Sequence, residues 1–507
     1  MVESIQKASQ SFSNRMIGKI SLAPMVRIVR YIFSITALQN SLPFRLMAKN
    51  YGADYVFSEE IIDRKFQACT RYFNEELNCI DYVSTRDYSI VFRVREEEKN
   101  QLILQIGTNN AETAINAVET CQLDICGVDV NMGCPKKFST GGGMGSALMR
   151  DLQNAKHIMK SLVDRFGEQM SVSCKIRVFE DHEKTMEYVL AMQEAGVHWI
   201  SIHPRTAAEE CRVAARWYEI KQIIDTGLIK IPILGSGDML SPLDVNKFLK
   251  FTGAQGAILA RGAIHNPAIF QLNQQMVDPY AINEDFECWQ DNTLPEFNQA
   301  VDQIIEQNQT QDKSKQTKKQ KQKPKNDDEN VEFSQNLVRV FEQRYHKHPM
   351  QLNILDLVKE YFKICIETGN NFQNSKYNIL YILKTHKEHY ELFKKLQLGR
   401  NFTQYAEIFE ITEEVKDQIE LRQKHFDGQF YRKNKNVIDD QVKKSIQINA
   451  NIQNNQLQTA KEIDINPANA NQMNEEIIVG QKRQQDVNME SIYSDIQDEQ
   501  SLKRQKA

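Results

Sequence analysis

Between about residues 18 and 270, short apolar and β-branched runs alternate with longer stretches whose apolar positions recur at helical spacing. Runs at 19–23, 54–57, 102–106, 127–131, 172–177, 199–203, 231–234 and 257–260 predict eight strands. Their near-continuous apolar character suits strands buried on both faces. Segments such as 111–121, 184–195 and 242–251 supply helices between them. Eight such units in roughly 250 residues match a closed parallel (β/α)8 TIM barrel, with a doubly wound open sheet as the rival. Residues 88–104 predict a small hairpin ahead of the third strand.

The pattern changes after the barrel. Residues 336–345, 351–368 and 374–397 carry apolar positions at helical spacing. Leu352, Leu355, Val358, Phe362 and Cys365 step by three or four along one face. These stretches predict an all-helical domain over 276–410, following a catalytic domain over 18–275. Residues 306–332 are polar, with seven lysines between Lys313 and Lys325, and predict a disordered insertion in that domain. Residues 430–507 are rich in Asn, Gln and charge and predict a disordered tail.

Composition narrows the function classes. The 507 residues carry 63 basic and 67 acidic side chains, a net charge of −4, so any nucleic-acid contact rests on local patches. Nine cysteines, an odd number without a C-x-x-C unit, read as reduced thiols in a cytoplasmic or nuclear protein, with no disulfide frame and no metal site. The polar N-terminus and the lack of a long apolar run predict neither secretion nor a membrane span.

Candidate chemistry gathers at the carboxyl ends of the predicted strands, where barrel enzymes place their ligands. Pro24, Met25 and Arg27 follow strand one, and Gln105 closes strand three. Asn131 and Cys134 follow strand four, in a Gly-Cys-Pro turn that leads into the glycine-rich run 141–145. Such a turn offers its thiol to a ligand, whereas an isolated cysteine usually packs as a small hydrophobe. Lys175 and Arg177, two residues apart, leave strand five on one face and suit an anion or an electron-rich ring. His203 and Arg205 follow strand six. Two glycine turns, Gly235-Ser236-Gly237-Asp238 and Ala260-Arg261-Gly262, follow strands seven and eight. Their bare backbone amides can cradle a phosphate, and Arg261 can clamp it. A phosphate there and a lysine on strand five place a flavin mononucleotide (FMN) across the mouth. Neither a Walker sequence nor a leading G-x-G-x-x-G is present.

These residues resemble a known family. LAPMVR at 22–27, ILQIGT at 103–108, DVNMGCPKKFSTGGGMGSALM at 129–149, CKIR at 174–177 and ILARGAIHNPAIF at 258–270 are similar to tRNA-dihydrouridine synthases. YGADYVFSEEIID at 51–63 and the helical stretch 356–383 look most like the eukaryotic synthase 2 branch, associated with uridine 20 of the D-loop. The resemblance implies FMN, NADPH as reductant, tRNA as partner and a cysteine acid at Cys134. It implies flavin contacts at Pro24, Met25, Gln105, Lys175, His203, Ser236, Gly237, Ala260, Arg261 and Gly262. Asn131, Lys136, Arg177 and Arg205 would lie near the uridine and its backbone. The implied reduction delivers hydride to C6 and a proton to C5. An unperturbed thiol, with a pKa of about 8.5, holds its proton at neutral pH and can give it up.

The chain departs from the family in places. Residues 28–42 form an unusually long connection, His203 is followed by Pro204, and Ser236 stands where many members have Asn. No double-stranded-RNA-binding pattern follows residue 410. The expected form is a monomer. Two further readings stay open: an FMN oxidoreductase of a free pyrimidine, and a non-catalytic tRNA-binding protein.

Overall fold

The computed structural model describes residues 11–25, 41–210, 213–271, 353–384, 386–426 and 430–440. Most of the long connection 28–42, the lysine-rich segment 306–332, the predicted helix 336–345 and the chain beyond 440 lie outside the described residues.

Each of the eight predicted runs forms a barrel strand. They are β1 (Lys19–Leu22), β2 (Val56–Phe57), β7 (Leu102–Gly107), β8 (Gly127–Asn131), β9 (Ser171–Arg177), β10 (Trp199–His203), β11 (Ile233–Gly235) and β12 (Gly256–Leu259). All pair in parallel, and β1 closes the ring with β2 on one side and β12 on the other, Leu22 facing both Val56 and Leu259. A two-residue strand β3 (Ile61–Ile62) hangs on the outer end of β7. The strands bury nearly every side chain, which explains why they lack polar alternation.

Helices cover the outside, and their ends follow local chemistry. Ala111–Cys121 starts at Asn110, whose side chain accepts from the Thr113 amide. Pro242–Thr252 starts with a Ser241–Asp244 capping box and stops at Gly253 in the left-handed conformation. Its Phe248 presses on β11, where Gly235 leaves room for the ring. Gly235→Ala is expected to overpack this contact and cost about 1–3 kcal/mol. A urea midpoint equal to that of the parent protein would count against that packing.

The hairpin expected at 88–104 is a larger element that starts earlier. Strands β4 (Cys69–Asn74), β5 (Cys79–Ser84) and β6 (Ile90–Val94) form a separate antiparallel sheet, and Glu96–Gln101 is a 3-10 turn. Asn78 takes a positive φ of 48° in the β4–β5 turn, a conformation Asn tolerates better than most residues. The sheet hides from a periodicity reading because β5 buries Asp81, paired with Arg93, among its apolar residues.

The described residues up to Ile438 belong to one compact unit, and the helical segment packs directly on the barrel. Ile354–Glu367 buries Leu357, Val358, Tyr361, Phe362 and Cys365. Phe44 meets Tyr361 edge to face at 6.1 Å, and Tyr51 donates to Glu360 Oε2 at 2.6 Å. The single helix expected over 374–397 is broken into Phe372–Leu383 and Tyr390–Leu398. Tight i−3 hydrogen bonds from the His386 and His389 amides turn the chain between them. Order also extends past residue 430, where a tail was expected. Phe430–Lys433 is helical, and the buried Tyr431 hydroxyl donates to Asp81 Oδ2 at 2.8 Å. Among the described residues no helix is long and apolar enough to cross a membrane.

Candidate active site at the carboxyl end of the barrel

Residues that alternate along β8 and β9 send polar side chains into the barrel mouth. Asp129 and Asn131 share one face of β8, and they join Gln105 of β7 in a continuous network. Asn131 Oδ1 accepts from the Gly133 and Cys134 amides, each at 3.0 Å. Its Nδ2 must then donate to Gln105 Oε1 at 3.0 Å, and Gln105 Nε2 donates to Asp129 Oδ2 at 2.7 Å. Ser173 of β9 donates to the other Asp129 oxygen at 2.7 Å. Each amide orientation is therefore dictated by its neighbour. Burial pushes the Asp129 carboxyl up to about 6, against the pull of Gln105, Ser173 and Lys175.

Asn131 thus shapes the turn that carries Cys134, in the manner of an Asx turn. Cys134 is half-buried and free. The glycine run folds back on it: Ser146 N donates to Cys134 O at 2.9 Å, and Gly145 has a φ of +56°. A Cβ at Gly145 would stand 2.6 Å from Cys134 O and 2.5 Å from Ser139 Oγ, so only glycine fits there. Burial first, then the Glu60 carboxyl, push the Cys134 thiol up to about 12. It is a protonated acid at neutral pH. Lys136 is exposed at the start of the short helix Lys137–Thr140.

The other side of the mouth is cationic. Burial and Arg177 hold the Lys175 ammonium down at about 8, while Asp129 and Cys134 favour its charge. The Lys175 ammonium has no hydrogen bond or ion pair among the described residues, and its backbone carbonyl accepts from Met132 N at 2.9 Å. Arg177 is half-buried and donates from Nη1 to Thr206 O at 2.7 Å and Glu209 O at 3.1 Å. His203 Nε2 lies 3.0 Å from Arg205 Nη1. A guanidinium only donates, so Nε2 accepts and the neutral ring carries its proton on Nδ1. Burial and four neighbouring cations keep His203 well below its ordinary value.

Arg205, expected near the uridine and its backbone, is fully buried. Its Nη2 donates to both Asp238 oxygens at 2.7 and 2.6 Å, and its Nε donates to Val213 O at 2.6 Å. Asp238 also accepts from Arg261 and from the Ala215 amide, and the arginines hold its carboxyl below the usual range. It thereby ties the turn after β11 to the turn after β12. Gly237, at φ +112°, has no room for a Cβ beside Ala215, and Trp217 Nε1 donates to Gly237 O at 2.9 Å. At Gly262 a Cβ would stand 2.5 Å from Met239 O. Buried Ser236 follows β11, and Ala260 precedes the helix Arg261–His265. Pro24 and buried Met25 follow β1.

The candidates after β1, β7, β8, β9, β10, β11 and β12 thus converge on one end of the barrel. Lys175, Arg177, Arg205 and Arg261 stand on the cationic side of the mouth, and Asp238 is the carboxylate that pairs with two of them. Three participants, Asp129, Glu60 and Ser139, carry no role in the motifs, and Asp238 stands there only as the end of a glycine turn. The period of two back from Asn131 points to Asp129, and Glu60 lies in the short loop between β2 and β3. Among the described residues no cluster of His, Cys, Asp or Glu could hold a metal ion.

Comparison with known proteins adds independent findings. The family model for dihydrouridine synthases matches residues 54–360. The chain is 34% identical over 275 residues to tRNA-dihydrouridine(20) synthase (NAD(P)+) of Schizosaccharomyces pombe, covering 53% of this chain and 55% of that protein. It is 35% identical over 267 residues to the Saccharomyces cerevisiae protein of the same name, covering 50% and 66%. It is 31% identical to the S. cerevisiae tRNA-dihydrouridine(20a/20b) synthase (NAD(P)+), covering 46% and 59%. The match spans between about half and two-thirds of these relatives' length.

Proposed function

This chain belongs to the dihydrouridine synthase family, and from that premise we propose that it reduces uridine to 5,6-dihydrouridine in the D-loop of tRNA, at position 20, with FMN as cofactor and NADPH as reductant. It acts as a monomer in the cytoplasm or nucleus. One observation carries the reading: the Cys134 thiol and the Lys175 ammonium share one barrel mouth, because Asn131, which holds the Cys134 turn, is paired with Lys175 across β8 and β9.

The residues fit a flavin. Lys175 lacks a partner and suits the electron-rich edge of the ring, beside Gln105. Arg261 and the backbone of Gly237 and Gly262, with no Cβ in the way, suit the phosphate. The proton on His203 Nδ1 faces away from Arg205 and is free to donate. Pro24 and Met25 would flank the ring, and Ser236 and Ala260 would complete the phosphate turns. Arg205 serves behind them as the counter-ion that fixes Asp238.

When bound, reduced FMN supplies the hydride for C6. The chain supplies the rest. Cys134 gives its proton to C5, Asn131 aims the turn that carries it, and Arg177 and Lys136 hold the nucleotide and its backbone. A uridine stacked in RNA cannot present both faces of its C5=C6 bond, so the base must be extruded into the mouth.

The test is NADPH-dependent formation of dihydrouridine in a tRNA transcript, with free uracil and orotate as competing substrates. Reduction of the free pyrimidines alone, or binding without reduction, would defeat the reading. A pH dependence follows from Lys175. Pairing with a flavin raises its pKa above about 8, so FMN affinity should stay level below pH 8 and fall above it. Flavin-fluorescence titrations check this, and Lys175→Met should bind more weakly and lose the break.

A further inference from the structure

Each turnover of the proposed reaction leaves Cys134 as a thiolate, and that charge must take up a proton before the next uridine can react. Ser139 Oγ and the Cys134 Cβ lie 2.5 and 3.1 Å from one point, the place a Cβ at Gly145 would take, and Ser139 donates to the Glu60 carboxyl at 2.8 Å, so thiol, hydroxyl and carboxyl form one cluster. Among the described residues, the Lys175 ammonium and the backbone of Lys136 also act on the sulfur. Lys175 is committed to the flavin side. Glu60 has no role in the chemistry described so far.

Glu60 comes from the loop between β2 and β3 and is only 6% exposed. Its Oε1 accepts from Ser139 Oγ at 2.8 Å, while Oε2 is buried without a hydrogen-bond partner among the described residues. The backbone of β7 presses on the same carboxyl: a Cβ at Gly107 would stand 2.7 Å from Oε1. A carboxylate confined like this, with one oxygen unsatisfied, is costly unless it holds or shares a proton. The neighbouring acid is the thiol itself.

We propose that Glu60 returns the proton to Cys134 after each turnover, with Ser139 holding the carboxyl in place; this rests on Cys134 acting as the acid in uridine reduction. The S–H bond of Cys134 breaks as the C5–H bond forms, leaving a thiolate. The Glu60 O–H bond then breaks as the S–H bond re-forms, and water reprotonates the carboxylate. No electrons move in this exchange. The transfer runs downhill, because the thiol is the weaker acid of the two. Glu60 therefore acts through Cys134, as a positioning and proton-return residue.

Glu60→Gln keeps the side-chain shape and an oxygen for Ser139, and two measurements read its effect. The first is alkylation of Cys134 by iodoacetamide across pH 7–11, followed by mass spectrometry of the Cys134 peptide. Without the carboxylate the thiolate forms more readily, so labelling should be about tenfold faster at pH 8 and throughout the range below the thiol's own titration. An unchanged labelling rate across the range overturns the pairing. The second is rapid mixing of pre-reduced enzyme with excess tRNA. The first turnover should persist, while later turnovers slow by about tenfold or more and recover when acetate or imidazole is added. Equal loss in both phases without rescue, or no loss in either, overturns proton return. Glu60→Asp, with the carboxyl drawn back by one methylene, should fall between parent and Gln in both measurements. If the parent protein fails to reduce tRNA while the alkylation shift holds, the tRNA reading fails and the Glu60–Cys134 pairing stands.

Discussion

Cys134→Ala is expected to leave flavin bound and reducible by NADPH while lowering tRNA turnover by about 10²–10⁴-fold, the usual contribution of a positioned acid. Two features of the site set this expectation. The thiol is pushed up to about 12, so the acid form persists throughout the neutral range. A catalytic nucleophile needs the opposite shift, whereas burial and the Glu60 carboxyl both oppose the thiolate here. The turn is also held without the thiol, because Asn131 grips backbone amides and Ser146 grips the Cys134 carbonyl. Removing the sulfur should therefore spare the mouth. Stopped-flow oxidation of the reduced flavin by tRNA reads the effect, and a rate equal to that of the parent protein removes the acid assignment.

The second large effect is on stability. Arg45→Ala is expected to cost about 3–5 kcal/mol, the cost of breaking a buried ion pair from one side. Arg45 lies on the inner face of the helix Leu42–Asn50 and is fully buried. Its Nε and Nη2 donate to the Glu98 carboxylate at 2.9 and 2.8 Å, and its Nη1 lies 3.6 Å from Glu59 Oε2. The guanidinium also covers the Phe92 ring at 5.0 Å. Without it two buried carboxylates lose their counter-charge. Burial already pushes the Glu59 carboxyl up to about 6 against the pull of Arg45, and the variant would push it further. A raised carboxyl contributes stability below its unfolded value, and that contribution is lost as pH rises through the folded value. The deficit of Arg45→Ala should therefore be larger at pH 8 than at pH 5. Urea midpoints at the two pH values test this. A deficit under about 1 kcal/mol at both would show that the pair is screened, as at a protein surface.

The barrel was legible because each strand is buried on both faces and announces itself as an apolar run. The same rule concealed the β4–β5–β6 sheet, whose buried positions include Asp81, Asn74 and Ser84. Polar core residues satisfied by distant partners have no periodic signature. Asp81 is matched by Arg93 and by Tyr431, which lies 350 residues away. Strand ends gave most of the mouth, since Gln105, Asn131, Lys175 and His203 sit at or beside the last residues of predicted strands. Their division of labour was less visible. Asn131 and Arg205 read as ligand contacts in sequence, and nothing in the motif showed that Asn131 also builds a turn or that Arg205 also pairs with Asp238. Glu60 was hidden by the shortness of β2, two residues long, which gives little pattern from which to count.

Ring closure between β1 and β12 has a consequence for biosynthesis. The amino-terminal strand leaves the ribosome first, but its partner ends at residue 259. At ~5–20 residues per second, the nascent strand waits on the order of ten to fifty seconds with one edge bare. An unpaired apolar edge of this kind invites aggregation, which makes the emerging chain a natural client for chaperones until the last strand is translated.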